Sequence, residues 1–363
     1  MITAEAKQQQ FPCSNCGATL FWDPGSTSLK CPYCGTENVV APTPDAEPVQ
    51  ELEFVAHLQT AVASAETMDA ITVRCDACGA EQVLRPGQTA GTCAFCGSGM
   101  VAQAVVKRVL KPRSLLPFSI SNKTACDAFT NWIHGLWFAP SDLKRLCSRE
   151  GLKGVYVPAW TYDCQADTDY TGQRGDDYWD TETYSTMENG KSVTKTRQVR
   201  RTRWSSAWGR VHDSFDDILI LAVQNLPPKA SRLEPWDLPA LVPYDDRYMS
   251  GFIGESYTID LSTGFELARQ VMSPIIDGSI CRDIGGDHQR ISTKNPHYYD
   301  ITFKHILLPL WISAYRYQDR VYTFLVNART GEVQGDRPWS IWKILFAVLL
   351  ALAVIGAIVL ATR

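Results

Sequence analysis

Eight of the chain's twelve cysteines fall into two copies of one pattern, C-x2-C-x14-C-x2-C, whose first cysteines are 62 residues apart. The first copy is Cys13, Cys16, Cys31 and Cys34; the second is Cys75, Cys78, Cys93 and Cys96. Two residues between thiolates let one tight turn aim both sulfurs at a single ion, and each CxxC is followed by glycine (Gly17, Gly35, Gly79, Gly97). Glycine accepts the positive φ that closes such a turn and leaves backbone N–H groups pointing back at sulfur. Two knuckles on facing hairpins complete a tetrahedral four-thiolate site. A site of that kind is closed, and so structural rather than catalytic. The competing reading, a disulfide framework, needs an oxidising compartment, and Met1 to Gln10 has no secretory apolar region. The spacing therefore predicts two zinc ribbons, each holding one structural Zn2+.

A second constraint lies at the other end. Ile344 to Ala361 reads ILFAVLLALAVIGAIVLA, with no charge and no strongly polar group. As a helix rising about 1.5 Å per residue it spans roughly 27 Å, close to the hydrocarbon thickness of a bilayer. Trp339 and Trp342 stand where an interfacial aromatic belt belongs, with Arg337 and Lys343 beside them. Only Thr362 and Arg363 follow, so residues 341–362 are expected to form a transmembrane tail anchor. Reduced thiols, together with Arg329, Arg337 and Lys343 against the single Arg363, place residues 1–340 in the cytoplasm on this reading.

The rest is the composition of a soluble globular body, 45% hydrophobic and 20% charged, with a formal net charge of −4. Such a balance offers no global attraction to nucleic acid or to an anionic membrane surface. The spacing assigns 11–40 to ribbon one, 41–70 to a proline-rich linker and short helix, 71–102 to ribbon two, and 105–339 to a larger body. In the linker helix, Leu52, Val55, Leu58 and Val62 recur near helical spacing, broadened by Phe54 and Ala61. The remaining cysteines, Cys126, Cys147, Cys164 and Cys281, have no ligand spacing and read as apolar filling.

In the body, helices are expected over Lys123–Gly135 and Ser141–Arg149, followed by an aromatic, β-branched strand from Val155. Asn189-Gly190 is a type I′ hairpin turn. It sets Glu188 opposite Lys191, Tyr184 opposite Lys195, Glu182 opposite Arg197 and Trp179 opposite Arg200. One arm is acidic and the other basic, which cross-strand pairing favours. A further helix runs from Asp260 to about Ile284, with Leu261, Phe265, Ala268, Met272, Ile275 and Ile276 on one face and Pro274 expected to bend or break it. VPAW (Val157–Trp160) and LPLW (Leu308–Trp311) echo each other as candidate pseudo-symmetric halves of one sheet. The fold class is α+β with an antiparallel sheet.

Chemistry is sparse. Gly190-Lys191-Ser192 ends like a phosphate-binding loop, but Ser185 stands where the loop's first glycine is required. No ATPase or helicase activity, and no catalytic residue, is expected. Cys281, Asp283, Asp287 and His288 gather round Gly285-Gly286, where a capped helix end with solvated charges is the simpler reading. Asp163, Asp167, Asp169 and Arg174 are candidates for a cleft or for a solvated strand face. The run Lys191–Arg203 is the one nucleic-acid-like patch, and the acidic arm opposite can neutralise much of it.

FPCSNCGA, CPYCG, GVYVPAW, YTGQRGDDY, VRRTRW, EPWDLPALVPY, DIGGD and VQGDRPWS together resemble, over nearly the full length, a bacterial family. Its members are labelled "primosomal protein N-prime (replication factor Y), superfamily II helicase" or "zinc ribbon domain-containing protein". The architecture is also similar to bacterial ribbon-plus-anchor proteins that accompany phage-shock or SPFH-type membrane-stress proteins. The resemblance implies a non-catalytic adaptor docking cytosolic protein partners at the bacterial inner membrane. The family's label implies the alternative, a membrane-associated nucleic-acid-binding factor.

Overall fold

A computed structural model of the chain describes residues 11–40, 49–64, 67–83, 90–101, 105–138, 151–188, 191–224, 226, 228–317, 320–336 and 340–361. The linker 41–48, the expected helix Ser141–Arg149, the Asn189-Gly190 turn, Cys147, Arg337, Trp339 and Arg363 lie outside the described residues. The fold is α+β and mostly sheet.

Ribbon one carries β1 (Phe21–Trp22), β2 (Ser28–Lys30) and β3 (Glu37–Val39). Then come β4 (Leu52–Glu53), helix α1 (Phe54–Ser64), and the second ribbon's β5 (Thr67–Arg74), β6 (Glu81–Val83), β7 (Ala90–Thr92) and β8 (Gly99–Val101). Next follow β9 (Val105–Leu110), β10 (Ser114–Leu115) and α2 (Asn122–His134). The frame is made by three long strands: β11 (Lys153–Glu188), β12 (Lys191–Leu221) and, further on, β15 (His288–Tyr317). Between the last two lie β13 (Val242–Pro243), α3 (Asp246–Met249), β14 (Ile253–Glu255) and α4 (Leu261–Ile284). The strands β16 (Arg320–Asn327) and β17 (Val333–Gly335) precede α5 (Ile341–Ala361).

Strand β11 is the organiser. One edge pairs antiparallel with β15 from Lys153↔Ile312 to Gly175↔His288. The other pairs with β14 at Val155 and then with β12 from Ala159↔Leu221 out to Glu188↔Lys191. All four hairpin pairs read from the turn are present in that register. Val157 faces Leu308 and Gly154 faces Trp311, so the two Pro-x-Trp segments are direct antiparallel neighbours in one sheet. The second ribbon's β5–β6 hairpin continues this sheet through β14.

Side chains alternate across β11, and the two faces are covered differently. Around Tyr156, one face packs α2 and ribbon one: Phe118, Phe129 and Trp311 meet Leu20, Trp22 and Leu29. Around Val155 and Val157, the opposite face packs ribbon two through Val73, Ala94 and Phe95. The two ribbons thus clamp the same strands from opposite sides. Further along, α4 lies under Trp160, Tyr162, Cys164 and Ala166.

Helix α4 starts where the sequence places it, capped by Asp260, which accepts from Thr263 N–H at 2.8 Å, and ends on Gly285 at φ 64°. Pro274 does not break it; the helix runs through as one element. Ala268, Met272, Ile276 and Ile280 are fully buried on both sides of the proline. Beside the proline, Lys294 Nζ from β15 donates to Ser273 O at 3.2 Å and to Asp277 Oδ1 at 2.5 Å. Packing on both sides offsets the proline's missing N–H, and Lys294 ties this stretch of the helix to β15. Ile275, expected on the apolar face, is 48% exposed, because the buried stripe passes through Met272 and Ile276 instead. Among the described side chains of α1 the buried one is Phe54, wedged against Phe265 and Phe303, while Val55 and Leu58 are exposed.

Gly264 sets how closely α4 approaches β11. A Cβ there would stand 2.3 Å from Tyr162 Oη and 2.9 Å from Trp160 Cδ1. Tyr162 cannot retreat, since its hydroxyl donates to Leu261 O at 2.7 Å. Gly264→Ala is expected to cost about 1–3 kcal/mol, as overpacking of a filled core does. An unchanged denaturation midpoint would contradict this packing.

Candidate metal centres and their surroundings

The four knuckles repeat one backbone geometry. In each, the first cysteine's carbonyl accepts from the glycine four residues on, at 2.7–3.1 Å, and its N–H donates to the carbonyl of the residue five on. The four glycines have φ between 71° and 76°. At Gly17, Gly35 and Gly97 a Cβ would meet nothing within 4 Å. Glycine is therefore required there by backbone conformation and not by crowding.

Each set of four sulfurs converges, with ligand atoms within 4.8 Å of one another. Cys13 and Cys34 Sγ are 3.6 Å apart, Cys16 and Cys31 3.5 Å, Cys75 and Cys96 3.6 Å, and Cys78 and Cys93 3.6 Å. A disulfide needs about 2.05 Å. Four sulfurs placed about 2.3 Å from a central ion in tetrahedral array are about 3.8 Å apart, so the donor sets fit a tetrahedral metal. Backbone N–H groups of Cys16 and Asn15 lower the Cys13 thiol, and the Thr36 hydroxyl and N–H bring Cys34 down to about 5. Both effects favour the thiolate a metal requires. At Cys16, by contrast, the Ala18 backbone hydrogen bond is outweighed by the Cys31 and Cys34 thiols, which push the thiol up to about 12, and burial pushes Cys93 up to about 11. The first cysteine of each knuckle is buried against the body, whereas Cys16 and Cys34 are exposed and Cys78 and Cys96 partly so.

Ribbon one is bonded into the body. Trp22 N–H donates to Ser250 O at 3.0 Å, Gly25 N–H to Phe118 O at 3.1 Å, and the Trp22 ring lies 4.5 Å from Tyr248. Ribbon two is held by Thr323 Oγ1 donating to Phe95 O at 3.0 Å and Lys153 Nζ to Thr92 O at 3.2 Å. Neither attachment has a local sequence signal.

The other candidate residues do not converge on one site. Asp169 pairs bidentately with Arg210, Asp167 with His212 at 2.8 Å, and Arg174 with Asp176. The carboxylates along β11 are thus each occupied by a different cross-strand or neighbouring group. At the bulge where β12 admits Asp216, the Asp163 carboxylate accepts from Asp217 N–H, and Lys304 Nζ bonds Asp217, Glu51 and Asp163. That Lys304 cluster is absent from the sequence reading, because its members come from four distant segments. Asp163, Asp216 and Asp217 bring their oxygens within metal-binding reach, with the Lys304 ammonium already among them.

Around Gly285-Gly286, Asp283 accepts from Tyr170 Oη at 2.5 Å, and Asp287 accepts from Asp177 N–H at 2.8 Å. His288 Nε2 lies 3.1 Å from Asp177 Oδ2, which also takes Arg200. A hydrogen bond from Thr202, then Arg200 and His288, holds the Asp177 carboxyl below its usual range. These residues fasten the root of the hairpin arm. Cys281 is part-exposed beside them, as is Cys126 on α2, and among the described residues only Cys164 is a buried filler, 3.7 Å from Met272 Sδ. Lys191 sits on a strand opposite Glu188, not at a helix N-terminus.

Helix α5 has a mean hydropathy of 3.1 and no part of its apolar window is buried against the rest of the chain. By length and composition it could cross a membrane.

No protein-family profile matches the chain, and no solved structure does. The chain is similar to a protein of Bacillus subtilis (strain 168) described as "Uncharacterized protein YdjG", 24% identical over 344 residues, which are 92% of this chain and 91% of that protein. The likeness extends over both proteins' lengths without supplying an activity.

Proposed function

We propose that the protein is a non-catalytic, membrane-tethered scaffold whose two structural zinc ribbons and β-rich body dock cytosolic protein partners at a bacterial inner membrane. The observation that carries this is α5, a 21-residue helix whose apolar window buries nothing against the body and therefore needs another apolar environment. The two ribbons then act as clamps on the sheet that α5 holds at the bilayer, with Cys₄ zinc sites closed to substrate. Lys343 beside the span and the reduced thiols favour a cytoplasmic body. The basic strand of the arm is paired with an acidic one, which favours a protein partner over nucleic acid.

The test is fractionation followed by affinity capture from detergent. The whole chain is expected to stay in the membrane pellet after alkaline wash, and deletion of residues 341–363 to release a folded protein. A defined protein should co-purify with the whole chain. Salt-dependent DNA binding, or DNA-stimulated ATP hydrolysis lost in Lys191→Ala, would refute the scaffold reading.

A further inference from the structure

Beyond Gly175 no strand pairs the outer edge of β11 among the described residues, yet β11 and β12 continue together to Glu188↔Lys191. The result is a two-stranded arm of thirteen residue pairs, Asp176↔Arg203 to Glu188↔Lys191, about 44 Å long at 3.4 Å per residue. Two-stranded ribbons are marginal in water without a third strand or a packed face. The arm has no such face here: Trp179 and Met187 are 69% and 73% exposed.

Its two edges carry opposite charge. Residues 176–188 hold five carboxylates and no cation, and residues 191–203 hold six cations and no carboxylate. Inside one arm these meet as Arg197–Glu182 at 2.6 Å and Arg201–Asp180 at 3.0 Å. Long charged side chains can serve a second neighbour in the same plane. A third strand added to the acidic edge must be basic, and one added to the basic edge must be acidic, because like charges directly opposite destabilise a sheet.

The geometry points to a second copy of this chain as that neighbour, with the acidic edge of one arm pairing with the basic edge of the next. Copies sharing one orientation place strand 191–203 of one antiparallel to strand 176–188 of the next, which continues the alternation already present. A two-fold dimer through these edges would instead set acid on acid or base on base, so charge selects against it. The contact is therefore head-to-tail, and it closes as a ring or extends as a row of roughly three or more copies. This goes beyond the scaffold reading and does not depend on what is docked.

The full chain in detergent micelles is the sample, and light scattering on a sizing column gives the copy number. The wild-type protein is expected as an assembly. The double variant Asp180→Lys, Glu182→Lys, with two basic edges, and the double variant Arg197→Glu, Arg201→Glu, with two acidic edges, are each expected as single copies. Mixing the two should restore assembly, which a merely unfolded arm would not do. A chain with residues 178–201 replaced by Asn-Gly, its body intact, should also be a single copy. A wild-type protein that is a single copy at every concentration, an arm-truncated chain of unchanged copy number, or variants that stay apart when mixed would each overturn the pairing.

Discussion

Chelating the metal of the reduced protein is expected to release about two ions per chain, zinc on the proposed reading, and to dismantle both ribbons. The strands of ribbon one, two or three residues each, cannot hold themselves together, and β7 and β8 of ribbon two are as short. Structural zinc in ribbons of this size supplies on the order of 10–16 kcal/mol of apparent binding free energy, which is folding free energy. Cys31→Ser is the sharper version. Cys31 is 1% exposed, and its loss leaves three sulfurs around a buried gap. Metal content should fall from about two ions to about one. Ribbon one should detach, exposing Leu20, Trp22 and Leu29 together with the Phe118 and Phe252 face they cover. Trp22 reports it, since its indole N–H reaches Phe118 O and its ring meets Tyr248. Ribbon two, on the opposite face of β11, should keep its ion. Two ions retained in Cys31→Ser, or metal loss from both ribbons at once, would contradict this arrangement.

The parts of the fold legible in the sequence are those written in short-range spacing. A knuckle is encoded in about five consecutive residues, and the structure draws all four alike. The arm's register follows from Asn189-Gly190 and complementary charges, and α4's start from Asp260. The parts that were not legible depend on distant pairing. Val157 and Leu308 are 151 residues apart, so their segments appear as an echo along the chain although they are neighbours in the sheet. Phe54 and Val55 offer equal hydrophobicity to a periodicity argument. Which turns inward is decided by where Tyr162, Phe265 and Phe303 stand. The ribbons' placement on opposite faces follows from side-chain parity along β11, which means nothing until its partners are known.

Acidification from pH 6.5 to 4.5 is expected to weaken the fold through His305, a residue that sequence gives no reason to single out. Its ring is fully buried, 4.5 Å from Trp160 and edge-on to Tyr257. Neither ring nitrogen has a hydrogen-bond partner among the described residues. Burial, and then the nearby His57, push its pKa down to about 3. The unfolded chain takes up this proton near pH 6.5 and the folded chain does not until about pH 3. Stability is therefore complete above pH 6.5 and is lost as pH falls, by roughly 1.4 kcal/mol per pH unit and about 4–5 kcal/mol over the whole window. Glu255 works in the opposite direction. Burial raises its carboxyl well above the usual range, so above about pH 4.5 the fold must retain a proton that the unfolded chain gives up, and acidification relieves that cost. The two must be separated by mutation. His305→Phe keeps a ring against Trp160 and removes the titration, so urea midpoints measured between pH 6.5 and 4.5 should show an acid slope shallower by about one proton. Glu255→Gln should show a steeper one. A His305→Phe chain whose acid slope matches the wild type would mean that His305 is protonated in the fold, with a partner or water reaching its ring.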